Sequence, residues 1–376
     1  MHQVSIKPQW SIRQRGGESL PARLIGLLVD VHEHGSLLGA CKLTGVSYRH
    51  AWQMVREGEA LFGAPLLTMT RGKGSQLTAL AEKLVWADRR IAARLSPVLD
   101  SLASELEVEI ERALSSYSPM LRVHASHGFA VSRLHDAMTS AGVGVELKYC
   151  SSLEAVAALH DGGCELAGFH IPLGEFEDAA VAHHARWFDL KAQRLVHIAT
   201  RRQGLMVAPG NPRKLYAVSD LARPGVRFIN RQPGSGTRFL LDLLLRQANT
   251  APEAVVGYEQ GEYTHAAVAA YVASGMADAG FGVETPARQF KLDFIPLQTE
   301  RYFLLCDARS LDTAPVREVL HIVSSPEFKA AVDSMSGYEA RDAGQVLTLA
   351  EAFPSLAAGP APRKRAGAKA AFRTAP

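Results

Sequence analysis

The chain has 376 residues, 47% of them hydrophobic, and 41 Lys and Arg against 38 Asp and Glu give a formal net charge of +3. That hydrophobic share supports packed cores and excludes disorder throughout, and the length suits two or three domains of roughly 100–200 residues. No run approaches the ~18 consecutive apolar residues of a membrane span. The first ten residues lack the pattern of a secretory signal, and four cysteines without a CxxC pair (Cys41, Cys150, Cys164, Cys306) fit reduced thiols, so the sequence reads as cytoplasmic.

The near-neutral total is unevenly spread. Residues 1–95 carry 13 basic and 7 acidic side chains, residues 96–360 carry 23 and 31, and the last sixteen carry five basic and none acidic. This asymmetry suggests a nucleic-acid module joined to something else.

Leu24, Leu27, Leu28 and Val31 fall at helical spacing within Ala22 to His34, and Gly35 ends that helix. Ser36 caps a short second helix that stops at Gly45. Ser47 caps a third, Tyr48 to Leu61, with Ala51, Met54, Val55 and Leu61 on its buried side. After Pro65, Leu66 to Thr70 can form a strand, Arg71 to Ser75 a basic tip and Gln76 to Thr78 the return strand. Residues 1–80 therefore read as a winged helix-turn-helix. Its third helix would enter the major groove, with Ser47, Tyr48, Arg49, Gln53 and Arg56 toward the bases, while Arg71 and Lys73 of the wing meet phosphate. The competing reading makes them ordinary solvated charges on a three-helix domain.

Ala79 to about Leu114 keeps helical spacing, and Pro97 at its middle implies a kink or two consecutive helices. This linker region, residues 81–119, ends in Ser115 to Pro119. From residue 120 to 350 strands and helices alternate: a mainly parallel sheet in two α/β lobes, residues 120–197 plus 302–350 and residues 198–301. Strands are expected at 121–125, 145–149, 165–170, 205–208, 227–230, 279–283 and 303–306. This is the pattern of a periplasmic-binding-protein fold, with ligand between the lobes at the carboxyl ends of strands. The fold class is thus multidomain: an α+β winged helix-turn-helix, a long linker helix, then a two-lobed α/β domain. Residues 351–376, with five basic side chains among Ala, Gly and Pro, are expected to be a disordered tail.

The sharpest motif runs from Asn230 to Arg238. It leaves a strand, turns on Gly234 and Gly236, and starts a helix at Thr237, offering backbone N–H groups, the Ser235 and Thr237 hydroxyls, Arg231 and Arg238 to an anion. No Lys follows the second Gly, so it is not a Walker A loop. Similar strand-to-helix junctions occur at Ser126-His127, where a helix to Met138 is expected to open, at Ser151-Ser152 and at Thr264-His265, and His170 lies at another strand end. Ser126, His127, Ser151, His170, Arg231, Gly234, Ser235, Gly236, Thr237, Arg238, Thr264 and His265 are therefore the candidate ligand-binding residues. A capped turn at an ordinary α/β crossover explains the motif without a ligand. His124-x-x-His127 and His183-His184 lack further ligands at metal spacing, so no metal is expected. Ser126, His127 and Asp278 could be drawn as a hydrolase triad, but no G-x-S-x-G elbow accompanies them and no catalysis is expected.

The stretch Gly35 to Val55, with its GS…G-x-S-Y-x-x-A-W string, then Phe62 to Leu67 and Leu77-Thr78, resembles the DNA-binding domain of ModE-type regulators and, more distantly, the LysR type. That resemblance covers about residues 20–80 and implies a homodimer on double-stranded operator DNA, paired through the helix after the wing, with a tetramer left open. The strings from Asn230 to Arg238 and Ala273 to Gly282 resemble the PBP-like domain fused to molybdenum-cofactor biosynthesis proteins and to ModE-like regulators. This implies sensing of molybdate, tungstate or a small carboxylate such as formate, with no bound cofactor. A transporter's solute-binding component and a molybdenum-cofactor-related enzyme are the alternatives.

Overall fold

A computed structural model describes residues 3–13, 17, 19–21, 23–70, 74–114 and 120–357. The wing tip with Arg71 and Lys73, the stretch 115–119 and residues 358–376 lie outside the described residues.

The head is built from α1 (Leu24–His34), α2 (Leu37–Thr44), α3 (Tyr48–Phe62) and the hairpin of β1 (Leu67–Thr70) and β2 (Gly74–Leu77). Ser36 accepts the Gly39 N–H and Ser47 the His50 N–H, so both N-caps read from the sequence form. Gly35, Gly45 and Gly63 end the three helices in the left-handed conformation. Gly58 is required by packing, since a Cβ there would sit 2.3 Å from Leu24 Cδ2 and 2.9 Å from Leu66 Cδ1.

Next comes one continuous 36-residue helix, α4 (Ala79–Leu114), rather than two. Pro97 has no N–H, so the Ala93 carbonyl one turn earlier loses its helical partner. The hydroxyl of Thr264 donates to that carbonyl at 2.8 Å, and Ser96 does so at 3.3 Å. This satisfaction from outside is why the helix survives its proline.

The remaining elements are β3 (Leu121–Ala125), α5 (Phe129–Ser140), β4 (Val145–Tyr149), α6 (Ser152–His160), β5 (Leu166–Pro172), α7 (Glu177–His184), β6 (Gln193–Val207), β7 (Phe228–Arg231), α8 (Gly236–Gln247), β8 (Gly261–Glu262), α9 (His265–Ala273), β9 (Ala279–Val283), α10 (Glu284–Gln289), β10 (Asp293–Asp307), α11 (Ala314–Ser324), α12 (Pro326–Asp333), β11 (Tyr338–Glu339), β12 (Val346–Thr348), α13 (Leu349–Ala352) and α14 (Pro354–Ala357). The sheet order is β4-β3-β5-β10-β6-β9-β7-β8, with β11 and β12 also on β6.

The sheet is mixed, not mainly parallel. β3, β4 and β5 are parallel, as are β7, β8 and β9, but β6 and β10 run antiparallel to each other and to their neighbours. Each of these 15-residue strands contributes to the cores on both sides of the cleft. The expected short strands 205–208 and 303–306 are therefore ends of longer ones. Thr200 to Gln203 and Thr299 to Arg301 break the apolar pattern at mid-strand, where β6 and β10 cross the cleft. Two further boundaries differ: α5 opens at Phe129, after Gly128, and residues 351–357, expected in a disordered tail, are mostly helical. Phe353 anchors that segment, fully buried against Phe303 and Phe188.

Candidate ligand cleft and nucleic-acid interface

A cavity of about 920 Å³ lies where β6 and β10 cross. On its floor Arg201, 4% exposed, donates from Nε to Glu300 Oε1 at 2.5 Å and from Nη1 to the Tyr338 hydroxyl at 3.4 Å. Gln203 donates from Nε2 to Glu300 Oε1 and to Thr237 Oγ1, both at 3.0 Å. Arg231, 5% exposed, has no such carboxylate. Its Nε donates to the Glu262 carbonyl at 3.2 Å and to Gln232 Oε1 at 3.3 Å, and its Nη2 to the Tyr263 carbonyl at 2.9 Å. Among the described residues no acidic side chain pairs with it. The floor therefore holds two guanidinium groups and one carboxylate; Glu105, Lys148 and Glu154 lie at the exposed rim, with Glu146 half-buried.

Burial opposes the charge on Arg201, but Glu300 and Tyr338 outweigh it and hold its pKa above the ordinary range. Burial, reinforced by Arg201, pushes Arg231 down to about 9. His170 and His265 line the same cavity, and burial, then the two arginines, drives both well below 6.5, so they are neutral at pH 7.

Helix starts supply further donors. Gly234 turns the chain at φ +81° and Ser235 caps α8 by accepting the Arg238 N–H at 3.2 Å. That leaves the N–H groups of Gly236 and Thr237, at the cavity wall, without helical partners. Ser151 caps α6 in a reciprocal capping box with Glu154 and lines the cavity. Ser126 Oγ is 3.3 Å from His170 Nδ1. His127 packs edge-on against Tyr149, with Nε2 3.7 Å from Asp100 Oδ2 on α4. His265 Nδ1 accepts the Val283 N–H at 3.4 Å, against Gly282, where a Cβ would come within 2.6 Å of that nitrogen.

Two expected residues point elsewhere. Thr264 is fully buried, capping α9 and bonding to α4. Arg238 turns to Glu259 at 2.9 Å and stacks over Tyr258, lining a smaller neighbouring cavity of about 370 Å³. The triad is not assembled: Ser126 meets His170, and Asp278 is taken by Arg227 and Arg213. Sequence reasoning missed Arg201, Gln203, Glu300 and Tyr338. The signal for the first three was a polar run inside an apolar stretch.

The linker helix α4 forms one wall through Pro97, Val98, Ser101, Leu102 and Glu105. Ser101 Oγ accepts the Tyr149 N–H at 3.0 Å and Ser104 Oγ the Leu147 N–H at 2.9 Å, so α4 closes the β4 edge of the sheet. Its first half contacts the other lobe, where Arg94 Nε lies 2.8 Å from Glu262 Oε2, without hydrogen-bond alignment, and Trp86 stacks on Phe290.

On the head, Ser47, Tyr48, Arg49, Gln53 and Arg56 are all exposed along α3, with Gln53 bonded to Glu57. The wing's buried Ser75 accepts the Leu37 N–H at 2.7 Å and fixes the hairpin to α2.

Residues 134–324, about half of the chain, match the PBP superfamily domain, and residues 22–82 match the bacterial regulatory helix-turn-helix protein, lysR family. The chain belongs to the PBP superfamily and carries a lysR-type helix-turn-helix as its head. It is 33% identical over 200 residues to the uncharacterized YvgK of Bacillus subtilis, a match spanning 53% of this chain and 64% of that protein. It is 30% identical over 123 residues to the molybdenum-pterin-binding protein MopB of Rhodobacter capsulatus, across 32% of this chain and 45% of MopB. Similar solved structures include hydrogen-peroxide-bound OxyR of Corynebacterium glutamicum (14% identity, TM-score 0.42, covering 84% of this chain and 94% of that one). A phosphate-bound phosphate transporter substrate-binding protein of Clostridium perfringens is another (13% identity, TM-score 0.42, 57% and 97%). No described helix is long and apolar enough to cross a membrane.

Proposed function

We propose that this chain is a one-component transcription regulator whose cleft senses an oxyanion and whose head reads operator DNA. The observation that carries the reading is the buried guanidinium of Arg231, bonded to no carboxylate among the described residues and lining the same cavity as the open N–H groups of α8. A bound oxyanion would supply the missing charge and accept those hydrogen bonds. Molybdate, tungstate and small carboxylates such as formate have this chemistry, and the similarity to the molybdenum-pterin-binding protein MopB makes molybdenum oxyanions candidates for this chain too.

The reading includes a homodimer paired through α4. Leu95 and Leu106, about three turns apart on α4, are 40% and 41% exposed. Residues 79–96 of α4 hold four basic and two acidic side chains, residues 97–114 one and five. An antiparallel pair of these helices sets opposite charges together. In a fluorescence-anisotropy titration against a pseudopalindromic duplex, candidate anions should change the affinity of the wild type but not of Arg231→Met. Absence of any sequence-preferring duplex binding would refute the regulator reading.

A further inference from the structure

The cleft is far larger than the ion it is proposed to hold. At ~30 Å³ per water, a four-oxygen anion displaces roughly two waters' worth of volume, against about 920 Å³ here. Cavities of roughly 300–1,000 Å³ are the size that accommodates drug-sized molecules. The lining is also divided. The floor is cationic, with Arg201 and Arg231, while large apolar and aromatic side chains stand uncovered at the wall: Val98 59% exposed, Leu102 45% and Tyr263 58%. Val98 and Leu102 belong to α4, whose second half is held against the β4 edge through Ser101 and Ser104.

We infer that the effector is an organic anion whose head group sits at Arg201 and Arg231 and whose apolar body lies against Val98 and Leu102 of the linker helix. This rests on the anion reading and narrows it from bare oxyanions to carboxylates, or comparable anions, bearing a hydrophobic body. Its consequence is that the effector touches the helix carrying the DNA-binding head. The signal then passes from the effector to that helix directly. The occupant assigned to Val98 and Leu102 is the effector, because both line the cavity that contains Arg231.

The test is calorimetric titration of the full chain with formate, sulfate and molybdate as bare probes and with hexanoate, benzoate and 3-phenylpropionate as probes that add a body. Each buried methylene should tighten binding about fourfold, so the second group should bind at least ~10-fold more tightly than formate. Arg231→Met should weaken every probe. Val98→Ser with Leu102→Ser should erase most of the advantage over formate. Arg231-dependent binding of bare ions with no gain from a body overturns this inference and leaves the anion site standing. An unchanged advantage in the double variant, with a dimer lost by size-exclusion chromatography, gives Val98 and Leu102 to a second copy and also overturns it. No Arg231-dependent binding of any probe overturns both readings.

Discussion

Arg201 and Arg231 share the floor of one cleft, yet among the described residues Glu300 is bonded to Arg201 and no carboxylate is bonded to Arg231. The charge of Arg201 adds to burial in depressing the pKa of Arg231. Replacing a poorly compensated buried charge by an apolar side chain is often neutral or stabilising. On the proposed reading, a bound anion would add the opposite charge that Arg231 lacks.

Arg231→Met is expected to raise the stability of the ligand-free protein by ~1–3 kcal/mol, because the unpaired charge goes and the volume is largely kept. The same variant should lose the rise in melting temperature that an anion gives the wild type. Parallel thermal melts with and without anion check both signs. A variant less stable than wild type without ligand would show that the carbonyls of Glu262 and Tyr263 already compensate the charge.

Glu300→Gln keeps the shape and removes the single floor carboxylate, leaving both guanidinium groups uncompensated. Breaking one side of a buried pair destabilises by ~3–5 kcal/mol. Anion should restore more stability to this variant than to wild type, since it then faces two unmatched cations. Denaturant titrations at several anion concentrations measure the difference.

The head was legible in the sequence because its signals are local. Ser36, Gly35, Ser47 and Gly45 fix helix ends through bonds within a few residues. The turn at Gly234 and the Ser235 cap of α8 were legible for the same reason. Arg201 and Glu300 were not, because they meet across 99 residues and lie on strands that their own polarity disguises. The directions of Arg238 and Thr264, toward Glu259 and toward α4, were not legible, because a motif gives the position of a residue but not the direction of its side chain. The tail was misjudged at residues 351–357 because one aromatic, Phe353, anchors them to a core formed by distant strands.

Operator recognition should depend on Arg49, exposed at the start of α3. If it reads a guanine, Arg49→Ala costs ~1–3 kcal/mol and relaxes preference at one base position. Competition binding with single-base operator variants distinguishes this from a phosphate contact, which would weaken all sequences alike and lower the salt slope by about one.

Acid should destabilise the fold before its carboxylates titrate. Burial holds His184 and His197 down to about 4, and His170 and His265 also lie well below the ordinary value. The unfolded chain binds these protons near pH 6.5 while the folded chain refuses them. Their stabilising contribution is thus complete above ~6.5 and declines as pH falls through the interval to about 4, each histidine adding up to ~1.4 kcal/mol per unit. Urea unfolding at pH 7.5, 6 and 5 should give steadily lower stability. Anion affinity, by contrast, should weaken only toward strongly alkaline pH, the direction in which burial and Arg201 shift Arg231.

The bond from Thr264 to the Ala93 carbonyl ties the N-cap of α9 to the turn of α4 that Pro97 leaves unsatisfied, and the next residue, His265, lines the cleft. A ligand touching His265 would thus be one residue from a bond to the helix that bears the head. Thr264→Val removes the cap and the bond, at ~1 kcal/mol for the cap alone. Pro97→Ala restores the N–H that lets Ala93 bond within α4, competes with Thr264, and stabilises the helix. The two variants should shift stability in opposite directions yet weaken coupling in the same direction. Anion affinity should stay near wild type in Thr264→Val, while the anion-induced change in operator affinity shrinks in both. Anisotropy titrations with and without anion measure that change, and an intact response in both variants would rule out the Thr264 contact as the route from cleft to head.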